Sequence, residues 1–216
     1  MPSHPKCIIY LEYTEKNKSL SKLTHFMENK EKGDKLYISA DSLLKDSFLL
    51  GKKILDSGFK PSFLVGIWRG GSPVGIAVQE FLEYHGVKTD HIAIRTSAYS
   101  GIDEMKRTIA VHNLSYITEK VSSNDRVLLI DDVYETGLSL KAVMDALKKG
   151  LQNHMPQEIR IATVYFKPHR NQTDQKPDFF IHTTDQWIVF PHELCGLSLE
   201  EIEKGKGLEI QKLLKG

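Results

Sequence analysis

Two neighbouring carboxylates, Asp131 and Asp132, end a run of four branched apolar residues, Val127 to Ile130, and Glu135, Thr136, Gly137 and Ser139 follow closely. Paired acids suit sugar hydroxyls or a divalent cation. Glycine and hydroxyl residues at a tight turn into a helix leave backbone N–H groups free to converge on an anion such as phosphate. The stretch therefore points to a ligand carrying a phosphate together with hydroxyls or a metal. Arg69-Gly70-Gly71 offers forked, charge-assisted donors beside glycines that let the backbone come close to a ligand. Lys167 adds a cation and Trp187 a flat ring. Singly, each has an ordinary reading: a solvated strand end, a tight turn, a solvated lysine, a core tryptophan. Their convergence is what argues for a phosphorylated sugar and a flat base.

Those groups need a scaffold. Val127 to Ile130 reads as a strand buried on both faces, and Leu138, Leu140, Val143, Met144 and Leu147 as the helix after it. Phe63 to Trp68 is a second such strand directly ahead of Arg69, followed by a helix over Val74 to Tyr84. His91 to Arg95 is a third strand, and Glu158 to Phe166 another, ending at Lys167-Pro168. Asp41 reads as the N-cap of a helix carrying Leu44, Phe48, Gly51 and Leu55, with Gly58 as its stop. Thr96 to Arg107 lacks helical periodicity and reads as a long loop. Leu36 to Ser39, Asp178 to Ile181 and Trp187 to Phe190 read as short strands. Leu197 to Glu203 and Leu208 to Leu214 read as short helices broken by Gly205-Lys206-Gly207. This alternation predicts an α/β fold, a largely parallel twisted sheet flanked by helices. The site then lies beyond the strand carboxyl ends, where Arg69, Asp131, Asp132 and Lys167 all fall. Residues 1–35, with Cys7 to Tyr13 as a short strand and Leu20 to Asn29 as a short helix, read as an extension of unknown role.

Composition narrows the classes. With 216 residues and 40% hydrophobic content the chain can bury one core. A formal net charge of +1 with no one-signed tail argues against a nucleic-acid partner. Cys7 and Cys195 form no CxxC pair and read as reduced thiols of a cytoplasmic protein. No apolar stretch approaches the ~20 residues that cross a bilayer, so no membrane partner is expected. The glycine spacings miss both GxGxxG and GxxxxGK[ST], against a dinucleotide fold or P-loop, and the histidines show no HExxH metal spacing. Phosphoacceptor receiver domains also carry an acid pair at a strand end. Here only 84 residues follow Asp132, and they turn aromatic and β-rich.

The stretch VLLIDDVYETGLSL, Val127 to Leu140, resembles the phosphoribosyl-pyrophosphate-binding motif of the type I phosphoribosyltransferases. The surrounding chain is similar to their 6-oxopurine branch, the hypoxanthine, guanine and xanthine enzymes. GIWRGG at Gly66 to Gly71, a loop with Tyr99, FKP at Phe166 to Pro168 and WIVFPHE at Trp187 to Glu193 come in that family's order. The resemblance runs from residue 36 to residue 193. It implies that residues 36–216 form one phosphoribosyltransferase domain, with a small hood of short strands made by residues 167–193, with or without the N-terminal part. It also implies that Asp131 and Asp132 hold the ribose hydroxyls and help place Mg²⁺, with Glu193 supporting a second Mg²⁺. The turn Val133, Tyr134, Glu135, Thr136, Gly137, Leu138 and Ser139 would wrap the 5′-phosphate. Arg69 and Gly70 would face the pyrophosphate. Ser97 to Arg107 would close over the reacting centre, bringing Lys106 or Arg107 to the pyrophosphate. Lys167 would donate to the purine 6-oxo group, Trp187 would stack on the ring, and the Ile188 backbone would meet its edge.

The implied activity is salvage of a purine base: a ring nitrogen displaces pyrophosphate from the anomeric carbon of phosphoribosyl pyrophosphate, giving a nucleoside monophosphate. Glu135 is the implied acceptor of the ring proton, with Asp131 and Asp132 completing the catalytic set. Such proton transfer is typically worth ~10²–10⁴-fold. A homodimer or homotetramer is the implied assembly. The chain departs from the family pattern at Glu135, where Asp is common, at Leu138, and at His192 and Glu193, which replace an aromatic and an Asp. Two other readings remain open at this point: a non-catalytic or regulatory phosphoribosyl-pyrophosphate-binding protein, and an enzyme for another base.

Overall fold

The computed structural model describes residues 35–100 and 107–215. In chain order the elements are β1 (Leu36–Tyr37), α1 (Ala40–Asp56), β2 (Phe63–Trp68), α2 (Gly71–Tyr84), β3 (Asp90–Ser100), β4 (Arg107–His112) and α3 (Ser115–Lys120). Then come β5 (Arg126–Tyr134), α4 (Leu138–Leu151), β6 (Glu158–Phe166), β7 (Phe179–Thr183), β8 (Ile188–Val189), α5 (Leu199–Lys206) and α6 (Leu208–Lys215). Six strands make one sheet in the order β4-β3-β2-β5-β6-β7. Every pairing in it is parallel except β3 with β4. The expected α/β fold is borne out.

Apolar runs form the central strands because both faces are covered. Along β5, Leu128 and Ile130 enter one core with Ile54, Val74 and Val78 from α1 and α2. Val127 and Leu129 enter the other, with Ile117 from α3 and Val143 and Leu147 from α4. All four β5 residues are at most 1% exposed, which is why no polar alternation interrupts the run. The chain lays β3 and β4 to one side of β2, then crosses back to place β5 on its other side. A crevice therefore opens between the carboxyl ends of β2 and β5, the usual ligand position in an open α/β sheet.

Several boundaries differ from the sequence reading. Thr96 to Ser100 and Arg107 are paired strand, with Thr96 opposite Val111 and Ser100 opposite Arg107, where a loop was expected. Backbone pairing at a sheet edge holds this ribbon, so it needs no buried apolar face and leaves no periodicity to read. Its turn, residues 101–106, includes Lys106 and lies outside the described residues, as do the strand and helix expected within residues 1–34. Helix α1 is capped by Ser39, whose hydroxyl accepts from the Ser42 N–H (3.1 Å), and Asp41 sits inside its first turn. Gly205 and Lys206 continue α5, and the break falls at Gly207 alone (φ +95°). Helix α3 has only six residues and was not expected.

A second, two-stranded sheet pairs β1 with β8 in parallel, Leu36 opposite Ile188 and Tyr37 opposite Val189. It stands over the carboxyl end of the main sheet's β6, and residues from the start of the described chain thereby join those near residue 190. No described helix is long and apolar enough to cross a membrane.

Candidate active site

The acid pair lies in the carboxyl-terminal half of β5. Asp132 is 8% exposed, and the Asp132 N–H donates to Asp131 Oδ1 at 3.0 Å. Strand β2 delivers Arg69-Gly70-Gly71 beside it; the Trp68–Arg69 peptide is cis. Any side chain at Gly70 would strike the Asp132 carboxylate, and one at Gly71 would strike the Ile130 carbonyl. The two glycines are thus required by close approach: the loop backbone lies flush on the acid pair.

After the acids, the strand turns into α4 through Gly137, whose φ of +76° ends the extended chain. The Leu138 N–H points back at Thr136 Oγ1 (3.4 Å), and the first turn of α4 carries no side-chain cap. Backbone N–H groups at a helix start of this kind can converge on an anion. Tyr134 is different. Its ring is buried against Phe166 and its hydroxyl meets Thr173 Oγ1 (2.9 Å) and donates to the Gln175 carbonyl (3.2 Å). Its side chain braces the loop after β6 and lies against the turn itself, where a side chain at Gly137 would strike the Tyr134 hydroxyl.

On the other side of the acids lies a cavity of about 290 Å³, lined by Asp132, Glu135, Lys167, Arg170, Trp187, Ile188 and Glu193 among others. Three separate segments supply these groups, and the structure brings all the expected base-side residues together. Lys167, 5% exposed, donates to Glu135 Oε2 at 3.2 Å. Arg170, which sequence reasoning missed, donates to Glu135 Oε1 at 3.1 Å. Its only signal was a second cation three residues past Lys167 in a polar stretch. Ile188 is buried, whereas Trp187 is 47% exposed with the Lys35 ammonium 5.8 Å from its ring centre.

Comparison with known proteins agrees with this geometry. Residues 35–197 match the model of the phosphoribosyl transferase domain. The chain belongs to that family. A purine phosphoribosyltransferase from Pyrococcus horikoshii superposes with a TM-score of 0.61 at 26% identity, over 77% of this chain and 99% of that one. The xanthine-guanine-hypoxanthine phosphoribosyltransferase of Helicobacter pylori has the same fold, with a TM-score of 0.57 at 20% identity over 85% of this chain and 100% of that one. The bifunctional protein PyrR of Staphylococcus saprophyticus is 32% identical over 111 residues, 50% of this chain. The match spans 59% of that relative's length.

Within this phosphoribosyltransferase domain the electrostatics centre on the acids. Burial pushes the Asp131 carboxyl well up, and repulsion from Asp132 adds to it. Burial likewise raises Asp132, with Glu193 adding to the rise, while hydrogen bonds from Asp131 and the Val133 N–H work against it. Two buried acids that resist ionisation together, with a third carboxylate close by, make a site that a divalent cation would neutralise. Among the described residues no three His, Cys, Asp or Glu side chains cluster as a complete metal shell. The adjacent carboxylates of Asp131 and Asp132 fit Mg²⁺, which is typically bound through one or two carboxylates plus substrate oxygens. His192 also reaches the pair: its Nε2 lies 3.8 Å from Asp132 Oδ2, and its ring stacks on Phe190. Burial, with Arg69 and Lys206 nearby, pushes the imidazole down against the pull of Glu193.

Proposed function

We propose that the protein is a cytoplasmic, Mg²⁺-dependent purine phosphoribosyltransferase that moves the ribose 5-phosphate of phosphoribosyl pyrophosphate onto a 6-oxopurine. The observation that carries this reading is one carboxylate shared by two half-sites. Asp132 sits under the Gly70 backbone on one side and lines the cavity of Lys167, Trp187 and Ile188 on the other. A sugar held by Asp131 and Asp132 would have its phosphate in the Thr136–Ser139 turn and its anomeric carbon facing that cavity.

Each residue then has work that its chemistry permits. Arg69 and the Gly70 backbone meet the pyrophosphate as negative charge grows on it. Asp131 and Asp132 would hold Mg²⁺, with Glu193 supporting a second ion, and the bound metal would supply positive charge to that leaving group. Trp187 stacks on the base, and the Ile188 backbone meets its edge. Lys167 is paired with Glu135 in the free site. A substrate oxo group would draw the lysine away and leave Glu135 with a free oxygen for the ring proton. Lys106, outside the described residues, and Arg107 at the start of β4 would act on the pyrophosphate.

The same Glu135 favours a second reading. With Lys167 and Arg170 both holding it, each of its oxygens already accepts from a cation as the site stands, which lowers its readiness to take a proton. A binding or regulatory protein that keeps the sugar-phosphate site without turnover would need nothing more. An enzyme for another base would differ in what draws Lys167 away.

Offering phosphoribosyl pyrophosphate and Mg²⁺ with hypoxanthine, guanine, xanthine, adenine or uracil, and measuring pyrophosphate release, separates these readings. Turnover with a 6-oxopurine is expected, abolished in Asp132→Asn and about 10²-fold slower in Glu135→Gln. Binding of phosphoribosyl pyrophosphate without release for any base rejects the enzyme reading.

A further inference from the structure

The family match ends at residue 197, and α5 and α6 lie beyond it. They are nonetheless built onto the base side of the site. Helix α5 starts with a capping box: the Ser198 hydroxyl accepts from the Glu201 N–H, and Glu201 accepts from the Ser198 N–H (2.9 Å). The same Glu201 pairs with Lys35 (2.6 Å), the residue before β1. One turn on, α5 lies so close to β1 that a side chain at Gly205 would run into the Tyr37 ring. Ile202 and Gln211 are each 3% exposed, and Gln211 Nε2 ties α6 back to α5 through the Leu199 carbonyl (3.0 Å) and Glu203 (2.8 Å).

The register of this pair delivers one side chain inward. Lys206, half-buried, donates to the Phe190 carbonyl at 2.7 Å and the Pro191 carbonyl at 3.3 Å. These carbonyls open the turn that carries His192 and Glu193. Phe190 and Glu193 close the turn on each other: the Phe190 N–H donates to Glu193 Oε2 (3.1 Å), and the Glu193 N–H to the Phe190 carbonyl (3.0 Å). Upstream, β1 holds the same segment, with Leu36 N–H on the Trp187 carbonyl (2.8 Å) and Ile38 N–H on the Val189 carbonyl (3.0 Å). The wall from Trp187 to Glu193 is thus pinned at its start by β1 and at its end by Lys206.

We propose that Lys206 is a positioning residue for this wall, so that base binding depends on a helix pair outside the family domain. Without its ammonium, the Phe190 and Pro191 carbonyls lose their charged donor, and the turn loses the contact that holds the end of the base-side wall. The proposal rests on the phosphoribosyltransferase reading for its kinetic consequence but not for its structural one.

The test compares Lys206→Met, Lys206→Arg and Lys212→Met with the full-length wild type. Lys212 lies on α6 and pairs only with Glu209 on the surface, so its variant controls for loss of charge. In Lys206→Met the KM for the base is expected to rise about tenfold with kcat changed less than about twofold, and the Kd for phosphoribosyl pyrophosphate unchanged. Amide hydrogen exchange at Phe190 and Glu193 is expected to quicken by a similar factor. Lys206→Arg, which keeps charge and donors, restores most of both, and Lys212→Met matches wild type. Unchanged exchange and KM in Lys206→Met overturn the proposal, as does an equal fall in every parameter shared with Lys212→Met. If wild type turns over no base, the enzyme reading has failed; the exchange data still decide whether Lys206 holds the wall.

Discussion

The two sides of the crevice are made in opposite ways. The sugar-phosphate side is one continuous stretch: Asp131 and Asp132 at the end of β5, then the turn into α4. From a distance it needs the Gly70-Gly71 backbone that follows β2, and the Gln172 N–H donates to its Thr136 carbonyl (3.0 Å). The base side collects Glu135, Lys167, Arg170, Trp187, Ile188 and Glu193 from separate segments, braced by β1 and by Lys206 of α5. Local construction on a buried strand leaves one side rigid. Assembly from surface loops and a two-stranded sheet leaves the other adjustable, and base choice would be made on that adjustable side.

The difference can be broken most forcefully at Gly70. In Gly70→Ala the new methyl displaces the Asp132 carboxylate, and kcat/KM is expected to fall roughly 10²-fold with the fold retained by circular dichroism. An active Gly70→Ala protein would show that the acids tolerate displacement and that the sugar side is not rigid. Trp187→Ala strikes the other side. Loss of a half-exposed stacking ring is expected to raise the KM for the base about tenfold, leaving kcat and phosphoribosyl pyrophosphate binding near wild type. A matching fall in kcat would mean that the two sides are not separable.

Tyr134 joins the regions, since its backbone belongs to β5 and its hydroxyl holds Thr173 and Gln175 beyond β6. Tyr134→Phe is expected to cost about 1 kcal/mol in urea unfolding and to shift the KM for the base only slightly. A larger effect on phosphate binding than on base binding would reverse the assignment of that loop. Asp125 provides a control far from both sides, ahead of β5. Burial raises its carboxyl, but hydrogen bonds from Ser62 and from the Ser122 N–H and hydroxyl outweigh this and leave it lowered. A lowered folded-state pKa contributes stability that is complete above the unfolded value, ~3.9, and is lost as pH falls through the folded one. Asp125→Asn is expected to lose up to about 1 kcal/mol at pH 7, to flatten the acid limb below pH ~4, and to leave kinetics untouched.

What could be read in advance follows the same division. Buried strands advertise themselves, so Phe63–Trp68 and Glu158–Phe166 have the ends their apolar runs predict. The β3–β4 ribbon and α3 were missed because an edge ribbon and a six-residue helix need no apolar period of their own. Gly205 and Lys206 read as a helix break because glycine is unfavourable in a helix interior. Packing against Tyr37 overrides that preference, and the helix runs on to present Lys206. Arg170 offered no more than a second cation in a polar loop, which becomes a site residue only when folding sets it against Glu135.

By itself, then, the sequence determined the sheet's buried strands, the acid pair and the phosphate turn, because contiguous residues on one strand and one turn share their geometry with their spacing. Only the tertiary structure decided that Glu135 is held between Lys167 and Arg170, that His192 faces Asp132, and that a C-terminal helix grips the base-side wall. Each of those contacts joins residues tens of positions apart, and no local pattern encodes a distance that the packing of whole elements sets.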